Sequence, residues 1–245
     1  MRQQRATAPR TKSPFLTRLT GPGRPVVTYA IIALCIVVFI VQSLPVVGGT
    51  VTNALQYAGL YSYPSGTIVH ASSGTYIASF EPWRLMTAVF AHANILHIAL
   101  NMYTLFIFGI VLEPMLGRAR FLVLFLLSGL AGSVGVLLMA GPDVPVVGAS
   151  GAIFGMMSAL LIIQRHLGGP ITQLLVLVGI NLVISFLPGF GIAWQAHVGG
   201  LVGGAIVGLI FMQTRARRRR GIQIALIGVL TVVLIALGIW PVFAV

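Results

Sequence analysis

Apolar residues in this chain come in long blocks separated by short polar or basic connections, and seven of the blocks are candidates for membrane helices. A helix rising 1.5 Å per residue needs roughly 20 apolar residues to cross a hydrocarbon core about 30 Å thick. The blocks run approximately over residues 26–46, 90–112, 121–140, 146–164, 171–188, 194–213 and 222–243. The pattern predicts an all-α fold, a polytopic membrane helical bundle with a six-span core and a seventh, C-terminal span. Residues 1–25, rich in Pro and Arg, are expected to form a flexible basic cytoplasmic tail. The core then covers 26–213, with a long outer loop at 47–85, and residues 214–245 supply a basic linker and the last span. The first block has no small-residue cleavage site at its end and reads as a retained span rather than a removed signal peptide.

Composition agrees with that pattern. Over 245 residues, 58% are apolar and 7% charged, values outside the range of soluble domains, so the chain reads as an integral membrane protein. The formal net charge of +12 raises the question of a nucleic-acid partner, and its distribution answers it. Fourteen of the fifteen Lys and Arg fall on one side of the membrane if the N-terminus is inside: six before span one, then Arg118, Arg120, Arg165, Arg215 and Arg217 to Arg220. Basic residues accumulate in cytoplasmic segments, so the charge is a topology signal. It implies no nucleic acid, anionic lipids as partners at the cytoplasmic face, and a C-terminus outside. Cys35 is the sole cysteine and lies within an apolar block, so neither an intramolecular disulfide nor a Cys-rich metal site is available. No metal or other cofactor is expected.

The outer loop is nearly uncharged and carries Tyr57, Tyr61, Tyr63, Tyr76, Phe80 and Trp83, aromatic residues that favour the membrane interface. It is expected to lie along the bilayer. Polar residues within spans are costly and few, so each is a functional candidate. His70 and His166 fall in loops. Span two carries His92, His97 and Asn101, and positions four apart share a helix face, so His97 and Asn101 form a pair. Span four places Ser150 roughly one turn, about 5 Å, below its outer end. Span six places His197 about one turn down, with Gln195 near the rim. Three spans running inward thus bring a Ser, a His and a His/Asn pair to one depth.

Helix contacts in membranes favour small residues, because van der Waals packing replaces the hydrophobic drive. The pairs Gly151 and Gly155 on span four and Gly199 and Gly203 on span six are expected to set these helices backbone to backbone. Taken alone, a Gly-x-Ser-Gly stretch in a membrane helix is more often packing than catalysis. Ser128, Ser133, Ser158 and Ser185 are all assigned to packing. Ser150 differs because a histidine lies at matching depth on another glycine-rich span. A serine hydroxyl becomes a nucleophile when an adjacent base takes its proton, and neutral imidazole suits that task. The acids Glu81, Glu113 and Asp143 lie in loops or at the inner side, so a Ser150/His197 dyad without a carboxylate is expected. Developing oxyanion charge needs fixed donors, for which His97, Asn101 and the Ser150 N–H are candidates.

These motifs together resemble the rhomboid family of intramembrane serine proteases. The matching pieces are "WR" (Trp83, Arg84), "HANILHIALN" (His92 to Asn101), "GIVLEPMLG" (Gly109 to Gly117), "GASGAIFG" (Gly148 to Gly155) and "AHVGG" (Ala196 to Gly200). The resemblance implies Ser150 as nucleophile, His197 as general base, and His97 and Asn101 as oxyanion-stabilising residues. As supporting residues it implies His92, Trp83 and Arg84 around the first outer loop, with Gly148, Gly151 and Gly199 for close approach. Phe154 stands where some members stack a Tyr on the base, and Glu113 matches an inner-side structural acid. The implied substrates are single-span membrane proteins, cut near the outer end of their transmembrane segment. Entry is expected to be lateral, with "SFLPGFGIAW" as a mobile cap bearing Pro188, Gly189 and Gly191. The short loops and basic tail fit a bacterial plasma membrane.

Two other readings compete. A non-catalytic relative that binds membrane clients would be marked by loss of Ser150 or His197, and both are present. A polytopic transporter should show repeats and polar groups across the membrane, whereas here they gather at one depth.

Overall fold

A computed structural model of the chain describes residues 24–187 and 191–244. The tail expected at 1–25 lies almost wholly outside the described residues, as do Pro188 and Gly189 of the expected cap. Seven long helices correspond to the seven apolar blocks: α1 Val26–Gln42, α4 Ile95–Leu116, α5 Arg118–Met139, α6 Ser150–His166, α7 Thr172–Ser185, α8 Trp194–Gln213 and α9 Arg220–Ile239. Four are long and apolar enough to cross a membrane, namely α4, α5, α8 and α9 with its flanking 3-10 turns, while α1 and α7 are apolar but shorter. The chain is a predominantly helical integral membrane protein.

The outer loop is built rather than open. It contains α2 (Gly48–Leu55), a hairpin of β1 (Ile68–Ala71) and β2 (Gly74–Ile77), and the single turn α3 (Arg84–Thr87). The hairpin pairs Ile68 with Ile77 and Ala71 with Gly74, and the hydropathy pattern did not predict it. Arg84 ties this loop together. Its guanidinium donates to the carbonyls of Asn53 and Gln56, pairs with Glu81 at 2.6 Å and stacks 4.1 Å over the Tyr61 ring. That charge-assisted bond holds the Glu81 carboxyl below the usual carboxylate range.

All these helices are apolar, so apolarity does not decide which are central. Side-chain size does. Residues 151–160 of α6 are buried without a break, and α5 is buried from Leu127 to Val136. Both stretches are rich in Gly, Ala and Ser. By contrast α9 buries only Gln223, Leu234 and Gly238, and α7 only Val178 and Ser185, leaving branched residues such as Val229, Val232, Val176 and Val183 outward.

Two glycine faces of α8 explain the close packing, and they correct the expected pairing. Gly200 and Gly204 lie against the backbones of Gly151 and Gly155, and Gly208 continues the row against Ala159. Gly199 and Gly203 instead face α5, where a Cβ on Gly199 would meet the Ala131 carbonyl and come within 3.0 Å of the Gly135 Cα. Consecutive residues are turned about 100° around a helix, so neighbouring glycines serve two different partners. α8 is thus wedged between α5 and α6.

Candidate functional site

The segment before α6 is extended rather than helical, which moves Ser150 from the expected second turn to the first residue of the helix. Gly148 causes this. It adopts a φ of +126°, which L side chains rarely adopt, and a Cβ there would press within 2.7 Å of the His97 ring. The outer loop fixes the approach: Tyr57 and Val146 exchange backbone hydrogen bonds at 3.0 and 2.7 Å, and the Gly148 N–H donates to the Ala88 carbonyl at 2.9 Å. A first-turn position has a chemical consequence. The N–H groups of the first turn have no intrahelical acceptor and carry the positive end of the helix dipole, so donors lie beside the Ser150 oxygen.

α4 also begins later than its apolar block, because Asn94 caps it by accepting the His97 N–H at 2.9 Å. His92 is consequently in the preceding loop, not on a helix. Its backbone N–H donates to Gln42 at 3.0 Å, and its ring packs edge-on against His97 with centroids 5.2 Å apart. The tie between His92 and the outer structure therefore runs through its backbone. His97 and Asn101 stand one turn apart, as the spacing predicts. The Asn101 amide donates to the His97 carbonyl at 2.9 Å and keeps a second N–H free for another acceptor.

His197 is 5% exposed, and its Nε2 is 2.8 Å from Ser150 Oγ. Phe154, one helical turn below Ser150, stacks on the imidazole with centroids 4.1 Å apart and planes 19° from parallel. Ser150, His97, Asn101, His197 and Gly148 line a cavity of about 370 Å³. Ser150, His97, Asn101, Phe154, His197 and Gly148 thus meet, and Gly151 meets the backbone of α8. Arg84 and Trp83 do not join them: Arg84 holds the outer loop, and Trp83 is 57% exposed at its edge. Gly199 faces α5.

Ser185 also belongs to this group of side chains, contrary to its assignment to packing. Its Oγ lies 2.6 Å from His197 Nδ1. The sequence places it at the end of α7, a short connection before α8, but does not mark it apart from a serine that only packs. Ser158 does act in packing, bridging the carbonyls of Gly155 and Leu201. Ser133 ties α5 to the outer loop by donating to the Leu85 carbonyl at 2.7 Å.

The acids stand apart from the Ser150 and His197 pair. Glu113 is buried at the start of α1, accepting from the N–H groups of Val27 and Thr28 and from the Thr28 hydroxyl at 2.7 to 2.9 Å. It neutralises free donors at a helix N-terminus, which is a structural task. Asp143 accepts from Ser73 of the hairpin.

Comparison with known proteins follows the same boundaries. The family model for the Rhomboid domain matches residues 79–214, which span α3 to the end of α8. The chain belongs to the rhomboid family. It is 35% identical over 190 residues to the rhomboid protease GluP of Bacillus subtilis, covering 74% of this chain and 34% of that protein. It is also 35% identical over 147 residues to YdcA of the same organism, covering 58% of this chain and 73% of that protein. RHOMBOID-like protein 6, mitochondrial, of Arabidopsis thaliana is 37% identical over 142 residues, which cover 54% of this chain and 44% of that protein. The chain therefore spans about a third of GluP and less than half of the plant relative. The rhomboid match excludes α1 and α9, which flank the matched helices.

Proposed function

We propose that this rhomboid is an intramembrane serine endopeptidase that hydrolyses peptide bonds in or near the transmembrane segment of single-span membrane proteins. The observation that carries this reading is the 2.8 Å approach of His197 Nε2 to Ser150 Oγ, at the wall of a cavity lined with further donors. Ser150 Oγ attacks the scissile carbonyl while His197 Nε2 takes its proton, and the proton then passes to the leaving amine. The acyl-enzyme is released by water activated on the same imidazole. The tetrahedral oxyanion is met by the Ser150 N–H, the His97 ring N–H and the free Asn101 N–H, each donor contributing on the order of 3 kcal/mol to the transition state. Stacking by Phe154 holds the imidazole plane.

Seven spans carry this site, with the N-terminus cytoplasmic, the C-terminus outside and a bacterial plasma membrane as the location. Arg118, Arg120, Arg165, Arg215 and Arg217 to Arg220 then meet anionic lipid head groups. The 17-residue α6 is about 26 Å long, short of a core about 30 Å thick. With Arg165 and His166 at the inner boundary, Ser150 sits a few ångströms below the outer one, where the extended segment above it leaves room for water. A substrate helix has its carbonyls hydrogen-bonded and sterically covered, so it must unwind to present one.

The test is reconstitution of purified protein in liposomes with a single-span reporter. Wild type cleaves the reporter and both Ser150→Ala and His197→Ala lose cleavage; undiminished cleavage by Ser150→Ala contradicts the proposal.

A further inference from the structure

His197 has two ring nitrogens, and only one is occupied by Ser150. Nε2 can accept the Ser150 proton only while the imidazole carries its hydrogen on Nδ1. A buried N–H needs an acceptor, and in serine hydrolases of the triad type a carboxylate supplies it. Here the three acids of the chain are committed or distant: Glu81 to Arg84, Glu113 to the start of α1, and Asp143 to Ser73. The polar atom at Nδ1 is the Oγ of Ser185, 2.6 Å away and on a residue 4% exposed.

Hydrogen-bond direction then follows from counting protons. Ser185 Oγ is also 2.8 Å from the carbonyl oxygen of Asn181, one turn back in α7. A carbonyl can only accept, so the single hydroxyl proton goes to Asn181. The oxygen of Ser185 then offers a lone pair to the Nδ1–H of His197. When Nε2 takes the Ser150 proton, both ring nitrogens become donors, and the same arrangement still satisfies the second one.

We infer that Ser185 is the positioning residue of the His197 base, accepting its Nδ1–H and donating to the Asn181 carbonyl, so that Nε2 faces Ser150 unprotonated. This rests on the Ser150/His197 reading above. It replaces the carboxylate of a triad with a neutral hydroxyl relayed to a backbone carbonyl. It also links the base to α7, which buries only Val178 and Ser185, so displacement of that helix removes the acceptor from Nδ1.

The experiment compares Ser185→Ala, Ser185→Thr and Ser185→Val in the full chain, using reporter cleavage and ¹⁵N NMR of histidine-labelled protein. Thr and Val have the same shape and branching, so their difference isolates the hydroxyl from any burden on folding. Ser185→Ala and Ser185→Val are expected to lower kcat by roughly tenfold with KM unchanged, as loss of a buried hydrogen-bond partner does. Ser185→Thr retains activity. In the NMR spectra, His197 carries its proton on Nδ1 in wild type and in Ser185→Thr, and shifts toward the Nε2–H tautomer in Ser185→Val. If Val and Thr variants cleave within about twofold of each other, the inference is overturned. An unchanged tautomer in Ser185→Val overturns it as well, and that readout does not need the protein to cleave anything. Failure of wild type to cleave, with the tautomer shift still present in Ser185→Val, sinks the proteolytic reading alone.

Discussion

Ser150, His97, Asn101 and His197 could be chosen from the sequence because polar residues are rare in apolar spans, and three spans carried theirs at one depth, whereas Phe154 was named only through the family resemblance. The geometry that hydropathy could not supply concerns helix starts. Ser150 opens α6 because Gly148 takes a positive φ, and His92 precedes α4 because Asn94 caps it, yet all of these residues lie inside continuous apolar blocks. Ser185 was missed for a different reason: a serine that bonds its own helix backbone is indistinguishable, in sequence, from one whose oxygen has a lone pair left for a partner. Phe154 stacks on the His197 imidazole without a hydroxyl, so the contribution expected of it under the proposed function is geometric. Phe154→Ala is expected to lower kcat about three- to tenfold, the worth of one aromatic contact of about 0.5–1.5 kcal/mol, while Phe154→Tyr retains it. Equal turnover by Phe154→Ala and wild type in the reporter assay contradicts that role.

The contact between α6 and α8 brings Ser150 to His197, and it depends on glycines that leave no side chain between the backbones. Small-residue content foretold that these two helices meet, but it did not foretell which glycines face which partner. That depends on helix phase, and adjacent glycines at 199 and 200 fit either choice. A Cβ at Gly204 would collide with the Gly155 backbone, whereas one at Gly228 on α9 would meet nothing within 4 Å. Gly204→Leu is therefore expected to destabilise the protein by about 3 kcal/mol or more through overpacking. Its thermal unfolding in detergent moves well below that of wild type, while that of Gly228→Leu stays close to it. Similar unfolding of both variants means that the two backbones are not in contact.

For the molecule as a whole, the helical membrane architecture was legible because long apolar blocks admit few alternatives, whereas of the arrangement of helices only the meeting of spans four and six was foretold by their small residues. The β1–β2 hairpin and the Tyr57 to Val146 backbone pairing were not legible, since both depend on hydrogen bonds between segments far apart in the chain. The proposed seven-span topology puts the hairpin and the C-terminus on the same side. Cys35 is fully buried, so introduced cysteines report without background. Ser72→Cys and Ala244→Cys are expected to react with a membrane-impermeant maleimide on intact cells, and Arg217→Cys only after permeabilisation. Labelling of Ala244→Cys from the same side as Arg217→Cys rules out a seventh crossing.

The proposed function requires an activated serine at position 150, and covalent capture measures that activation without knowledge of any substrate. A fluorophosphonate probe incubated with the purified protein should form an adduct that mass spectrometry locates on Ser150, with labelling abolished by Ser150→Ala and reduced by orders of magnitude in His197→Ala. Labelling that is absent from wild type, located on another serine, or undiminished in His197→Ala contradicts the proposed nucleophile and base.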